Sequence, residues 1–187
     1  MGSKTETDKQ PHVAIIGAGI TGISLAIGLH ARKVKFTVYE RAADFGEIGE
    51  GISFSPNAER AMRALDPGVH EALLKVTAPS DEQHFLWYDG QRDEPLFKLF
   101  IGNGGLKGCR RIDFLDQLVK LVPRENVVFG KYLESVVEDQ DGNGMVSMGF
   151  RDGTVEKADV GKADKIPARI SPDSTSDPSL TPNLELT

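Results

Sequence analysis

An α/β fold organised around a βαβ unit is what this chain's sequence predicts, and three observations carry it. The run His12–Ile16 is apolar and β-branched, and it gives way at once to Gly17-Ala18-Gly19-Ile20-Thr21-Gly22. Residues 23–31 then place apolar side chains at helical spacing. Val34–Tyr39 returns to strand-like alternation and stops at an acid, Glu40.

The elements follow in order. Residues 1–10 are polar and lack the apolar core of a secretory signal, so a disordered leader is expected there. After the βαβ start at 11–41 comes a glycine-rich loop, Phe45–Ile52. Ser55 suits an N-cap, Pro56 the first helical position and Glu59 the first turn, which predicts a helix with Ala61, Met62 and Leu65 on its apolar stripe. Phe85–Tyr88 and Leu96–Ile101 read as strands joined by a turn containing Asp89-Gly90. Their aromatics Trp87, Tyr88, Phe97 and Phe100 suit a core more readily than a pocket wall. Ile112, Leu115, Leu118, Val119 and Val122 recur at helical spacing until Pro123 ends the helix.

Three short strands, Val127–Phe129, Tyr132–Glu138 and Met145–Phe150, then predict a β-meander, with turn chemistry at Asp141-Gly142-Asn143-Gly144 and Asp152-Gly153. From residue 161 Pro, Ser, Thr and Asp dominate, and no apolar period survives. The expected organisation is therefore a leader at 1–10, a nucleotide-binding domain at 11–160 and a disordered tail at 161–187.

Composition excludes several classes. A formal charge of −6 gives no basic face for nucleic acid or an anionic membrane. No segment is apolar over the length a bilayer demands, so a cytoplasmic location without membrane contact is expected. One cysteine and four histidines rule out a disulfide framework and a cysteine-rich metal site. Cys109 is expected to be a buried or half-buried small hydrophobe, and the histidines surface or hydrogen-bonded residues.

The chemistry lies in the glycine turn. Gly17 permits a tight exit from the strand, Gly19 lets backbone approach a diphosphate, and Gly22 lets the helix pack on the strand. The helix then directs free N–H groups and its positive end at the phosphates. Glu40, about 20 residues after the turn, accepts hydrogen bonds from a ribose diol. Its charge opposes a ribose 2′-phosphate, with Arg41 beside it as a partial offset. The turn alone leaves NAD and FAD open.

Two further segments narrow the choice: Phe45–Leu65 (FGEIGEGISFSPNAERAMRAL) and Gly108–Pro123 (GCRRIDFLDQLVKLVP). With them, the chain resembles the FAD-dependent aromatic monooxygenases of the salicylate hydroxylase type, including fungal enzymes that hydroxylate phenolic polyketides. The likeness runs from about residue 11 to about residue 160. It includes the acidic strand end followed by Arg, the GxGI loop with its PNA helix start, and Arg111-Ile112-Asp113-Phe114-Leu115.

The resemblance implies an α/β, Rossmann-like FAD-binding domain with a β-meander, incomplete relative to the family. It implies FAD as cofactor, NAD(P)H as co-substrate and a small aromatic molecule as substrate. Gly17, Gly19 and Gly22 would hold the diphosphate, Glu40 the adenosine ribose and Arg41 the adenine end. Backbone at Gly49–Ser53, with Gly51 and Ser53 foremost, would pass the flavin. Arg111 would reach FAD from its helix start, while Arg110 is expected to be solvated. No catalytic or metal-binding residue is assigned.

Against the family pattern, Glu50 stands where a small residue is usual. After Val160 the expected apolar strand and Asp-Gly turn are lost, as is the substrate-binding half, so the chain reads as C-terminally truncated. Two alternatives follow: a non-catalytic flavin-binding remnant, or an NAD-binding reductase or regulatory domain that leaves the Arg111–Leu115 segment unexplained.

Overall fold

The computed structural model describes residues 10–45, 50–78, 83–138 and 145–163. Strand β1 (His12–Ile16), helix α1 (Ile20–Ala31) and strand β2 (Lys35–Tyr39) form the expected βαβ unit. They are followed by β3 (Gly51–Phe54), α2 (Pro56–Leu65), α3 (Pro67–Leu74), β4 (His84–Asp89), β5 (Glu94–Phe100), β6 (Lys107–Arg110) and α4 (Arg111–Leu118). The series ends with β7 (Val127–Val128), β8 (Leu133–Glu138), β9 (Val146–Phe150), β10 (Val155–Ala158) and β11 (Val160–Ala163).

The central sheet has the order β11-β1-β2-β7, and every pairing in it is parallel. Strand alternation sends neighbouring residues to opposite faces. Ile15 and Val38 enter a core with α1 and α4 residues Ile23, Ala26, Ile27, Phe114, Leu115 and Leu118. Ala14 and Tyr39 enter a second core with Leu133, Met148, Phe150 and Ala158. Helices therefore cover one face and the β8–β9–β10 meander the other. Helix α2 comes close to α1 because Gly28 has no side chain: a Cβ there would lie 2.6 Å from Leu65 Cδ1.

The meander differs from expectation in membership. Val127–Val128 pairs parallel with Val38–Tyr39 and belongs to the central sheet, so β10 supplies the third antiparallel strand. Two residues are too few to reveal by alternation which partner they take. The Asp141–Gly144 turn lies outside the described residues, as do residues 46–49 of the glycine-rich loop.

The expected loss of a strand after Val160 is corrected. Val160–Ala163 aligns with Val13–Ile16 as a parallel neighbour, so the anticipated domain boundary at 160/161 falls inside β11. Its pairing uses backbone N–H and C=O groups, which Gly161 and Lys162 carry as well as apolar residues do. Asp159 anchors the entry: its carboxylate accepts the His12 N–H at 2.8 Å, and its own N–H donates to the His12 carbonyl at 3.0 Å.

Helix α3 was not anticipated, although Asp66-Pro67 repeats the cap-and-proline signal of Ser55-Pro56. The Asp66 carboxylate accepts the Gly68 N–H at 2.7 Å, a capping bond. Ser55 occupies the N-cap position of α2 without such a bond; its hydroxyl meets Asn57 Oδ1 instead.

Strands β4 and β5 form the predicted hairpin, with an irregularity at Trp87/Tyr88. The core role expected for Trp87, Tyr88, Phe97 and Phe100 is corrected, since all four are exposed. Their ribbon pairs with no third strand among the described residues.

Candidate functional site

The site begins where β1 ends. Gly17 has φ +102°, a left-handed conformation that glycine tolerates, and its N–H donates to the Tyr39 carbonyl at 2.8 Å. Gly19 is the N-cap of α1, extended at φ −71° and ψ 179°, with no side chain to fill the space before the helix. Ile23 N–H makes the first helical bond, to the Gly19 carbonyl at 2.9 Å. The N–H groups at the start of α1 receive no side-chain cap, the arrangement that suits a phosphate. Gly22 is required by space: a Cβ there would sit 2.0 Å from the Gly17 carbonyl oxygen.

Glu40 follows β2 and reaches back to this turn. Its Oε2 accepts the Ala18 N–H at 2.7 Å and its Oε1 the Ala42 N–H at 2.9 Å. The strand end is fixed on the other side by β7, through Glu40 N–H to the Val128 carbonyl at 2.8 Å and Lys131 N–H to the Glu40 carbonyl at 2.8 Å. An ionised carboxylate offers about four lone-pair sites, more than these two bonds use. Arg41 lies beside it with an exposed side chain.

The second group of expected residues meets on a separate ribbon. Strands β3 and β6 pair antiparallel, placing Gly51 opposite Arg110 and Ser53 opposite Gly108. Arg111 opens α4, and its N–H donates to the Glu50 carbonyl at 2.9 Å, so Gly51 and Arg111 share one end of the ribbon, while Ser53 lies two residues further along β3 toward the other end. Gly51 has open space around its Cα, and Glu50 is exposed. Arg110 is exposed to water as expected, and at the surface it forms a two-pronged pair with Asp113, at 2.7 Å through both Nε and Nη2. The ribbon is joined to the glycine turn through the helical core, where Phe54 meets Phe114 edge-on at 5.1 Å and α4 packs against α1. Cys109 is half-buried on β6, and burial, then the charge of Asp113, raises its thiol pKa.

Glu59 does stand in the first turn of α2, but it is buried. Its Oε2 lies 2.8 Å from His70 Nε2 on α3 and 3.3 Å from Arg63 Nη2, and its Oε1 lies 4.0 Å from Lys107 Nζ on β6. The carboxylate thus ties two helices to the ribbon. The spacing of His70 from Glu59 gave no local signal, because the contact depends on how α3 turns back on α2. Among the described residues, no group of three or more His, Cys, Asp or Glu side chains could hold a metal ion. No described helix is long and apolar enough to cross a membrane.

A glycine turn under an uncapped helix, with a strand-end carboxylate closing it, defines the Rossmann-like dinucleotide-binding class. Residues 15–70 match the NAD(P)-binding Rossmann-like domain family. The chain's homologues are FAD-dependent monooxygenases of fungi, salicylate hydroxylase-like proteins among them. It is 47% identical over 163 residues to the FAD-dependent monooxygenase pigN of Monascus ruber, covering 83% of this chain and 37% of that protein. It is 38% identical to the salicylate hydroxylase asL1 of Sarocladium schorii, covering 82% of this chain and 34% of that one. Among solved structures, a salicylate hydroxylase substrate complex superimposes with a TM-score of 0.67 at 27% identity, covering 84% of this chain and 36% of the other. The 2,6-dihydroxypyridine-3-hydroxylase of Arthrobacter nicotinovorans does so with a TM-score of 0.63 at 25% identity, over 81% and 36%. The chain therefore spans about a third of the length of these four relatives.

Proposed function

We propose that this chain is the FAD-binding portion of a monooxygenase that hydroxylates a phenolic or polyketide-like aromatic substrate with NAD(P)H and O2. The observation that carries the reading is the Glu40–Ala18 closure of a glycine turn under an uncapped α1, in a chain whose homologues are FAD-dependent monooxygenases. The donor set fits the group: Gly17, Gly19 and Gly22 leave room for a diphosphate, and α1 offers N–H groups to it. Glu40 takes the adenosine ribose on its unused lone pairs, with Arg41 at the adenine end. Gly51 and Ser53 give the β3–β6 ribbon a low-profile surface for the flavin end, and Arg111 supplies fixed donors from the start of α4. When bound, FAD supplies the redox chemistry that links NAD(P)H and O2 to the ring; this chain's residues bind and orient it.

Purified protein tests this reading. Heat-released FAD and saturable FAD binding support it. Absence of FAD binding by folded protein refutes it.

A further inference from the structure

The segment Ala42–Phe45 follows the strand-end acid Glu40 and lies in neither a helix nor a strand. A side chain 80 residues away from Asp44 tethers it. Arg124 opens the single turn Arg124–Asn126 that leads into β7, and its Nη2 donates to Asp44 Oδ1 at 3.2 Å. The same oxygen accepts the Phe45 N–H at 2.9 Å. The Arg124 guanidinium also lies 5.6 Å from the Phe45 ring centroid and 4.9 Å from that of Phe129, within cation–π range of both. The two rings meet edge-on at 4.8 Å.

The ion pair alone is a weak tie, since the Arg124 and Asp44 side chains are 64% and 69% exposed and such surface pairs contribute little. The rings add to it: Phe45 and Phe129 are half-buried at the margin of the helical core. Backbone bonds hold the segment only as far as Ala42, through Lys131 N–H to the Glu40 carbonyl at 2.8 Å and Gly130 N–H to the Ala42 carbonyl at 2.9 Å. Beyond Ala42 the hold passes to the Asp44 carboxylate and the Phe45 ring, and both meet Arg124. Ala42 in turn gives its N–H to Glu40 Oε1 at 2.9 Å, so its placement sets the direction of the carboxylate.

We propose that Arg124 is a positioning residue for the dinucleotide: by holding Asp44 and Phe45 it fixes Ala42, and through Ala42 the Glu40 carboxylate and Arg41. The inference rests on the FAD-binding reading above and extends it to a residue that stands outside the glycine turn and the strand-end acid. A segment already ordered before the ligand arrives spares binding the cost of ordering it. The effect of Arg124 therefore falls on the affinity of folded protein for the adenosine end, and little of it on folding.

Flavin-fluorescence titration of the 187-residue chain with FAD tests this, with ADP as a competitor that carries only the adenosine diphosphate half and thermal melts of ligand-free protein alongside. Arg124→Ala is expected to weaken FAD and ADP by the same factor, about tenfold, and to leave the ligand-free melt within about 3 °C of the parent. Arg124→Lys, which keeps a cation for Asp44 and the rings, restores most of the affinity. In the Glu40→Ala background, Arg124→Ala adds less than it does alone, because its route to the ligand is gone. A parent that binds FAD and an Arg124→Ala variant that binds it equally well overturn the proposal and leave the FAD reading standing. A lowered melt with unchanged affinity does the same and makes Arg124 a support of the fold only, and a loss seen with FAD but not with ADP also overturns it. A folded parent that binds no FAD overturns the proposal together with the reading beneath it.

Discussion

Glu40 reaches from the end of the second strand to the glycine turn after the first and accepts the Ala18 N–H at 2.7 Å. The acid thus has a structural task before any ribose arrives: it fixes the turn's backbone. Charge-assisted bonds of this kind contribute about 1.5–3 kcal/mol each. Glu40→Ala is expected to weaken FAD binding by about tenfold or more and also to lower the melting temperature of FAD-free protein. Glu40→Gln, which keeps an acceptor oxygen, should fall between. Fluorescence titration and thermal melts of the three proteins check this, and an unchanged FAD-free melt for Glu40→Ala would deny the acid its role in the turn.

Gly22 faces the Gly17 carbonyl so closely that a methyl group has no room. Gly22→Ala should push α1 off β1 and cost about 3 kcal/mol or more, since overpacking against backbone finds little relief. Urea unfolding measures the loss. Gly51→Ala, with open space at the same test position, should unfold within ~0.5 kcal/mol of the parent.

Glu59 is the buried centre of a charge cluster spanning α2, α3 and β6. Removing one partner from such a cluster leaves the others desolvated and costs about 3–5 kcal/mol. Glu59→Ala should show a loss of that order in urea, and His70→Ala in the Glu59→Ala background should add less than it does alone. Full additivity would mean the two do not interact.

Asp152 accepts bonds from Lys131 Nζ at 2.6 Å and from the Thr154 hydroxyl and N–H at 2.6 and 3.1 Å. The Lys131 bond first, then those from Thr154, lower its pKa to about 2. As pH falls the unfolded chain takes up this proton before the folded one does. The contribution is therefore whole above ~pH 4 and is lost as pH falls toward about 2. Asp152→Asn should flatten stability against pH across that interval and leave the slope near neutrality unchanged. An identical acid limb in the variant would contradict the assignment.

What the sequence disclosed was whatever its neighbours in the chain determine. The turn at Gly17–Gly22 and the strand-end Glu40 follow from local spacing, the start of α4 at Arg111 from the resemblance to the family, and all three stand where expected. Val127–Val128 was placed in the wrong sheet because its partner, β2, is chosen by the fold and not by its own two residues. Strand β11 escaped notice because its pairing rests on backbone and on Asp159, not on an apolar pattern. Trp87 and Phe97 lie in apolar strand runs as buried residues do, but such a run does not reveal whether anything covers it. Glu59 was legible as a helix-start acid and not as a buried one, because His70 and Lys107 arrive from other elements.

The most direct measurement is a titration of folded protein with FAD, followed by flavin fluorescence, with NAD in parallel. The account predicts saturable binding of one FAD per chain, much tighter than NAD and weakened by Glu40→Ala. A folded sample that binds neither dinucleotide, or binds FAD equally well without the Glu40 carboxylate, would contradict it.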